Sequence, residues 1–251
     1  MDLSLFFVGT GGSVPTARRG LPAILVRRGA DRILIDCGEG TQRQLLRSVG
    51  LADLDEIYLT HFHADHWLGL PGMLKTFDLR GREKPLTIYG PPGLRELLGG
   101  MRHVWGGCGY EIAIVELPPD GMVEHDEYVI EPFRVNHAGT AYGYAITEDD
   151  RPGRFDAELA ERLGITPGPD FGRLQRGETV NGVRPEQVMG EDRPGRKLVI
   201  SGDTGPCDEL VDLAYRADVL VHEATFTEEE ADRARETRHS TAAQAAKAAR
   251  E

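Results

Sequence analysis

"IYLTHFHADHWLGLPG" (57–72) sets three histidines and an aspartate within six residues: His61, His63, Asp65 and His66. The apolar run before them, "EIYLT" (56–60), predicts a strand that ends where the cluster begins. Where a strand runs out into a loop, residues i and i+2 fall on the same side, so His61 and His63 can face one metal ion. Asp65 and His66 lie further round the loop and can face another. Imidazole with carboxylate suits zinc, and also manganese or iron. Two such ions about 3.5–4 Å apart could share a hydroxide and clamp a phosphate. A histidine-rich surface loop is the alternative; four ligand-type residues directly after a strand argue against it.

Four residues cannot fill two coordination shells, so the rest of the chain must contribute. The order of elements shows where to look. "LSLFFVG" (3–9) predicts a first strand, and "AILVRR" with "RILIDCG" predicts a hairpin turning at Gly29-Ala30-Asp31. "GTQRQLLRSVG" (40–50) predicts a helix with Thr41 as N-cap and Gly50 as its stop. "GLPGMLKTFDLRG" predicts a helix running past Pro71, and "LTIYGPPGLRELLGGM" predicts strand, turn, helix. "EYVIEPFRVNHAG" reads as a strand ending at His137, and "KLVISGD" as one ending at Asp203. "DVLVHEATF" ends at His222, and "TEEEADRARE" predicts a helix capped by Thr227. Strands and helices alternate, and metal-type residues follow the strands. In α/β sheets such strand ends converge on one crevice. His137 and Asp203 are therefore the further ligand candidates, and the two oxygens of Asp203 suit a bridge between two ions. Taken alone, each also fits a structural role, since Gly-Asp turns and hydrogen-bonded histidines are common.

Composition bounds the rest. The 251 residues carry a net charge of −12 and are 40 % hydrophobic, enough for one large α/β domain or two small ones. No apolar run reaches the roughly 18–20 residues that span a bilayer. The first residues carry no basic leader, and the three cysteines show no CxxC spacing, which together suggest a reducing cytoplasm. The acidic balance argues against broad affinity for nucleic acid, so a polyanionic substrate would have to be gripped locally. "GTGGSVPT" (9–16) lacks the ending of a phosphate loop and the third glycine of a dinucleotide loop.

At this point the chain resembles a known family. "HFHADH" is the motif of the metallo-β-lactamase superfamily, and Asp36 in "LIDCG", His137 and Asp203 match its other motifs in order. Within it, "GTGGSVPT", "DCGEGTQRQL", "HFHADHWLGLPGML", "SGDTGPC", "VHEATF" and "HSTAAQAA" resemble the ribonuclease Z family over nearly the whole chain. The resemblance implies an αββα sandwich with two Zn²⁺ and an endonuclease that trims the 3′ trailer from precursor tRNA, leaving a 3′-hydroxyl. It implies that one zinc takes His61, His63 and His137, that the other takes Asp65 and His66, and that Asp203 bridges them. It implies Asp65 as the base acting on water and His239 as the acid for the leaving oxygen, oriented by Glu223. Asp36 is then a brace, and His222 is structural. The same resemblance implies a homodimer, while the lack of an apolar spanning run points to no membrane association.

Residues 149–196 change character, being rich in Gly, Pro and charge, and read as an insertion of about 150–195 in a domain of 1–251. Within it, 155–180 resembles the projecting arm with which the family grips tRNA, its Gly-Pro element at Gly168-Pro169. The family's usual leucine-lysine is here Leu174-Gln175, flanked by Arg173 and Arg176 as the basic contacts. "HSTAAQAAKAARE" (239–251) predicts a capping box, Thr241 to Gln244, and a strong helix. In the family a further strand and a last histidine ligand follow. The chain is thus expected to be C-terminally truncated, with its second metal site incomplete and its activity reduced. Two other readings stay open on sequence alone: a different hydrolase of the superfamily, or a metal-deficient tRNA-binding protein.

Overall fold

Apolar alternation builds the first sheet. Leu3–Gly9 (β1), Ala23–Arg28 (β2) and Asp31–Ile35 (β3) pair antiparallel in sequence order. The β2–β3 turn is Gly29-Ala30, with Arg28 opposite Asp31 and Gly29 at φ 54°, the left-handed backbone a tight hairpin demands. Glu56–Tyr58 (β4), Leu86–Gly90 (β5) and Ile112–Glu116 (β6) add to it in parallel. Their connections carry the helices Thr41–Arg47 (α1), Ala64–Trp67 (α2), Leu70–Leu79 (α3), Leu94–Gly100 (α4) and Arg102–Trp105 (α5). A second sheet follows, from Val123–His125 (β7), Tyr128–Arg134 (β8) and Tyr142–Glu148 (β9). After helices Ala157–Arg162 (α6) and Pro169–Gln175 (α7) it gains Lys197–Ile200 (β10) and Val219–Val221 (β11), with Asp208–Ala214 (α8) between them. Its order is β11-β10-β9-β8-β7. Ala231–Thr237 (α9) and Ala242–Ala248 (α10) end the chain. This computed structural model describes residues 2–51 and 53–251.

The period of two sorts each strand into layers. Leu25, Leu34, Ile57 and Ile88 join Leu45, Met73, Leu74, Phe77 and Leu94 from α1, α3 and α4 in one core. On the opposite face of that sheet Tyr58 stacks on Tyr89, with ring centres 4.5 Å apart, and meets Tyr144 of β9 edge-on at 5.2 Å. Phe133, Ala145 and Val199 then turn away to pack with Leu210 of α8. Helix, sheet, sheet, helix is the resulting order, an αββα sandwich. A fully buried Leu or Ile contributes roughly 1.5–3 kcal/mol over an exposed one. These layers therefore fix the strand ends that carry the polar cluster.

The chain divides into two compact units. The first holds Met1–Val123, Ile130–Ile146 and Leu198–Glu251; the second holds Glu124–Val129 and Thr147–Lys197. The second unit has a small core of its own, formed by Ala160, Ile165, Leu174, Val180, Val183 and Val188, with Phe155, Leu159 and Phe171 against it. Its composition predicts no such core.

Two helix starts differ from expectation. Gly40, in the left-handed region at φ 83°, precedes α1; Thr41 is its first residue, and the Thr41 hydroxyl donates to the Gly38 carbonyl at 2.7 Å. Thr227 makes no side-chain cap, because the turn after it, Glu228–Glu230, is 3₁₀ rather than α. The capping box at Thr241 and Gln244 forms as expected.

Candidate metal centre

The cluster is assembled by a glycine-dependent crossing of two loops. After β3, Cys37 N–H donates to the His66 carbonyl at 2.7 Å, and Gly69 N–H donates to the Cys37 carbonyl at 2.9 Å. A Cβ on Gly38 would lie 2.3 Å from the Asp65 carbonyl oxygen, and one on Gly69 would lie 2.1 Å from the Gly38 oxygen. Only glycine allows the two backbones this close. The crossing brings Asp36 under the cluster. Its Oδ1 accepts from Thr60 N–H at 2.8 Å, and its Oδ2 accepts from Thr60 Oγ1 at 2.9 Å and His66 Nδ1–H at 2.7 Å. Asp36 thus braces the motif.

Three imidazole nitrogens converge beside it. His63 Nδ1 lies 3.0 Å from His61 Nε2 and 3.1 Å from His137 Nε2. The outer nitrogens of two of these rings are already engaged. His137 Nδ1–H donates to the Arg238 carbonyl at 3.0 Å. The Thr60 hydroxyl donates to Asp36, so it accepts from His61 Nδ1–H at 3.0 Å. In the neutral rings that leaves bare Nε2 lone pairs aimed inward. Ring nitrogens facing each other, two of the rings held from behind, are the donor set a cation fits. Burial pushes the His61 pKa down to about 2, and His66 nearby adds to the effect. Burial lowers the His137 pKa as well. Both rings are therefore neutral at ordinary pH.

Alongside stands a second group, His66 with Asp203, closed by His61. His66 Nε2 lies 3.2 Å from Asp203 Oδ2 and 3.8 Å from Asp65 Oδ2. Burial opposes charge on His66, but Asp36 and Asp203 outweigh it and hold its pKa well above the ordinary value. Burial likewise opposes charge on Asp203, and His66, His61 and His239 outweigh it, so the carboxylate stays ionised. Asp65 and His66 lie on the single turn of α2, not further round an open loop. Asp65 Oδ2 accepts from Ser13 N–H at 2.8 Å.

His239 completes the site from another direction, in the turn between α9 and α10. Its ring centre is 4.8 Å from that of His137, and its Nδ1–H donates to Glu223 Oε1 at 2.6 Å. Glu223 also accepts from Thr204 N–H at 2.9 Å and Thr225 N–H at 3.0 Å, so it is fixed before it meets the ring. Burial works against charge on His239, but Glu223 and Asp203 outweigh it and raise its pKa. His137, Asp203 and His239 form a third group of converging ligand atoms among the described residues. His222 turns aside, its Nδ1–H donating to the Glu223 carbonyl at 2.7 Å. A cavity of about 360 Å³ adjoins the group, lined among others by Arg19, Asp36, His66, Asp203 and Glu223.

The four arm candidates belong to the second unit. Gly168 and Pro169 start α7 and are exposed. Arg173 is engaged within the arm, its Nε donating to Glu178 at 2.9 Å and its Nη1 to Asp170 at 3.2 Å. Arg176 lies 3.6 Å from Glu178. Leu174 is buried in the arm's own core. Sequence reading misses Ser13, Thr60 and Arg238. Ser13 holds the site through its backbone N–H, which no residue type announces, and Arg238 through both its carbonyl and its guanidinium. Thr60 directly precedes the motif, and its hydroxyl beside two histidines is a usable signal. Cys37 is buried, whereas Cys108 and Cys207 are half-buried. Among the described residues no helix is long and apolar enough to cross a membrane.

Comparison with known proteins places this geometry in context. Residues 19–251 match the metallo-beta-lactamase superfamily. Ribonuclease Z of Haloferax volcanii is 46 % identical over 258 residues, spanning 100 % of this chain and 81 % of that protein. Ribonuclease Z of Myxococcus xanthus is 47 % identical over 255 residues, spanning 99 % of this chain and 83 % of that one. The crystal structure of the short form of human tRNase Z superposes with a TM-score of 0.73 at 28 % identity, covering 98 % of this chain and 87 % of the other.

Proposed function

The chain belongs to the ribonuclease Z family of the metallo-beta-lactamase superfamily, and from that membership we propose how its own residues divide the cutting of precursor tRNA. It is an endoribonuclease of tRNA 3′ processing that leaves a 3′-hydroxyl on the tRNA. It works with metal ions, which we assign as two zincs. His61, His63 and His137 would hold one and Asp65 and His66 the other, with Asp203 between them. When bound, the ions lower the pKa of a water and neutralise the scissile phosphate. Asp65, steadied by Ser13 N–H, orients that water and takes its proton. His239 donates a proton to the leaving 3′ oxygen, and Glu223 keeps the imidazole charged and aimed.

The observation that carries this reading is the 2.6 Å Glu223–His239 pair beside three converging imidazoles. It separates an acid from the ligands, as a reaction with a poor leaving group needs. The test uses zinc-loaded protein, precursor tRNA, bis-p-nitrophenyl phosphate and nitrocefin. Wild type should cut the first two and spare nitrocefin. Asp65→Ala should lose about 10²–10⁴-fold on both. His239→Ala should lose as much on tRNA and far less on the nitrophenyl ester, whose leaving group departs without a proton. Bound but uncut tRNA in the wild-type protein would overturn the assignment.

Residues 155–180 are proposed as the tRNA grip, with Gly168, Pro169, Arg173 and Arg176 at the contact. Support comes from their exposure in a unit with its own core. Deleting 155–180 should weaken precursor tRNA binding and spare hydrolysis of the nitrophenyl ester; equal loss of both would sink the idea. Family resemblance supports a homodimer and the cysteine pattern supports a reducing cytoplasm; the mass in solution tests the first of these.

A further inference from the structure

We propose that Arg238 is a positioning residue that locks His137 in its ligating orientation and ties it to the proton donor His239. Arg238 ends α9 in the left-handed region, at φ 56°. A side chain disfavours that backbone, so the surrounding contacts must hold it. Two of them do so reciprocally. The Arg238 carbonyl accepts from His137 Nδ1–H at 3.0 Å, and Arg238 Nη1 donates back to the His137 carbonyl at 3.2 Å. One residue therefore grips both the ring and the backbone of another 101 positions away.

The geometry has two consequences. A carbonyl on Nδ1–H fixes the tautomer, leaving Nε2 bare and aimed at His63. His239 follows directly in sequence, and its N–H donates to the Ala234 carbonyl at 2.8 Å. The turn that holds His137 thus also sets where His239 begins. The pattern recurs around the site. Of the five non-glycine residues with positive φ among those described, Ser13 holds Asp65, Asp36 holds His66 and Arg238 holds His137. Strained backbone is concentrated where ligand candidates need holding.

The inference rests on the reading of His137 as a metal ligand, and the experiment separates the two. Full-length protein is stripped with chelator, and the ¹⁵N shifts of the His137 ring are recorded. Zinc affinity is then measured by chelator competition for wild type, Arg238→Met, Arg238→Lys, His137→Ala and the double variant Arg238→Met/His137→Ala. Wild type should show His137 as the Nδ1–H tautomer before any metal is added. Arg238→Met keeps the aliphatic stem and the carbonyl but loses the guanidinium bond that holds the left-handed turn against His137; as the carbonyl drifts from Nδ1–H, the ring signal should broaden into a tautomer mixture. Its zinc affinity should fall about tenfold, the low end for an outer-shell partner, with an unchanged thermal midpoint. Arg238→Lys should recover part of the affinity. In the His137→Ala background, Arg238→Met should cost nothing further.

Wild-type affinity with an unchanged ring tautomer in Arg238→Met would overturn the proposal. So would an equal further loss in the His137→Ala background, which would mean Arg238 acts elsewhere. Wild-type protein that takes up no zinc would sink the metal reading of His137, while the ring shifts would still report whether the clamp exists.

Discussion

The two halves of the cluster lie within one crevice but are built from opposite electrostatics. His61 and His137 are neutral, buried rings whose outer nitrogens are tied to a hydroxyl and a carbonyl. His66 is held between the carboxylates of Asp36 and Asp203 and carries a proton well above the usual range. In the metal-free protein the second half therefore has a cation of its own, balancing Asp203, where the first half has lone pairs. The difference shows what each half must do to take a metal. The first only exchanges water for imidazole. The second must also expel a proton from His66.

Asp203 is where the comparison breaks most completely. Its carboxylate is 3.2 Å from His66 and 3.9 Å from both His61 and His239. Asp203→Ala should cut turnover of precursor tRNA by about 10³-fold or more, the order seen when a group stabilising developing charge is deleted. It should also release most of the bound metal, read by elemental analysis after gel filtration. A variant that keeps two metals per chain would show that the halves fill independently of this residue.

Acidity is the next lever. Zinc added to the second half would have to displace the proton on His66, so below its raised pKa the affinity there should drop about tenfold per pH unit. His61 and His137 have lowered pKa values and no proton to lose, so neither adds a pH dependence to the first half near neutrality. Zinc titrations at three pH values between 6 and 8 should resolve one steeper and one shallower class of site. Two parallel curves would mean that His66 is not the proton that leaves.

The stripped protein should show the same contrast in stability. The raised pKa of His66 gives stability that is full below its unfolded value near 6.5 and is lost as pH rises through the folded value. The depressed pKa of His61 acts the other way. The unfolded chain takes up that proton first, so stability is lost as pH falls below about 6.5. Denaturant unfolding in chelator, with His66→Asn and His61→Asn compared to wild type, should move the pH optimum in opposite directions.

Much of this arrangement can be read from sequence, for physical reasons. Strand runs such as "RILID" and "KLVIS" stand out because a core needs uninterrupted apolar residues of period two. The histidine cluster stands out because its chemistry resides in side chains. What is hidden depends on main chain or on distance. Thr41 looks like an N-cap by type, but its hydroxyl is taken by the Gly38 carbonyl, and left-handed Gly40 fills the capping position. Thr227 fails because its first turn winds as 3₁₀. The small core around Ile165 and Leu174 draws on residues scattered from Ala160 to Val188 with no periodic run to mark it. Glu124–Val129 joins that second unit with no shift in composition at all.

Thr60 offers the finest test, because its hydroxyl touches both halves. Its hydroxyl is 2.9 Å from Asp36 Oδ2, 3.0 Å from His61 Nδ1 and 3.4 Å from His66 Nδ1. Thr60→Val keeps the shape and deletes the oxygen. It leaves His61 Nδ1–H buried without an acceptor, a loss of about 1–3 kcal/mol in unfolding free energy. The Asp36 carboxylate keeps Thr60 N–H and His66 Nδ1–H, so the second half should hold. Zinc affinity should therefore fall about tenfold in the less pH-sensitive class and stay near wild type in the other. Equal losses in both classes would mean that Asp36, rather than the His61 ring, is what the hydroxyl supports, and the two halves would then share one brace.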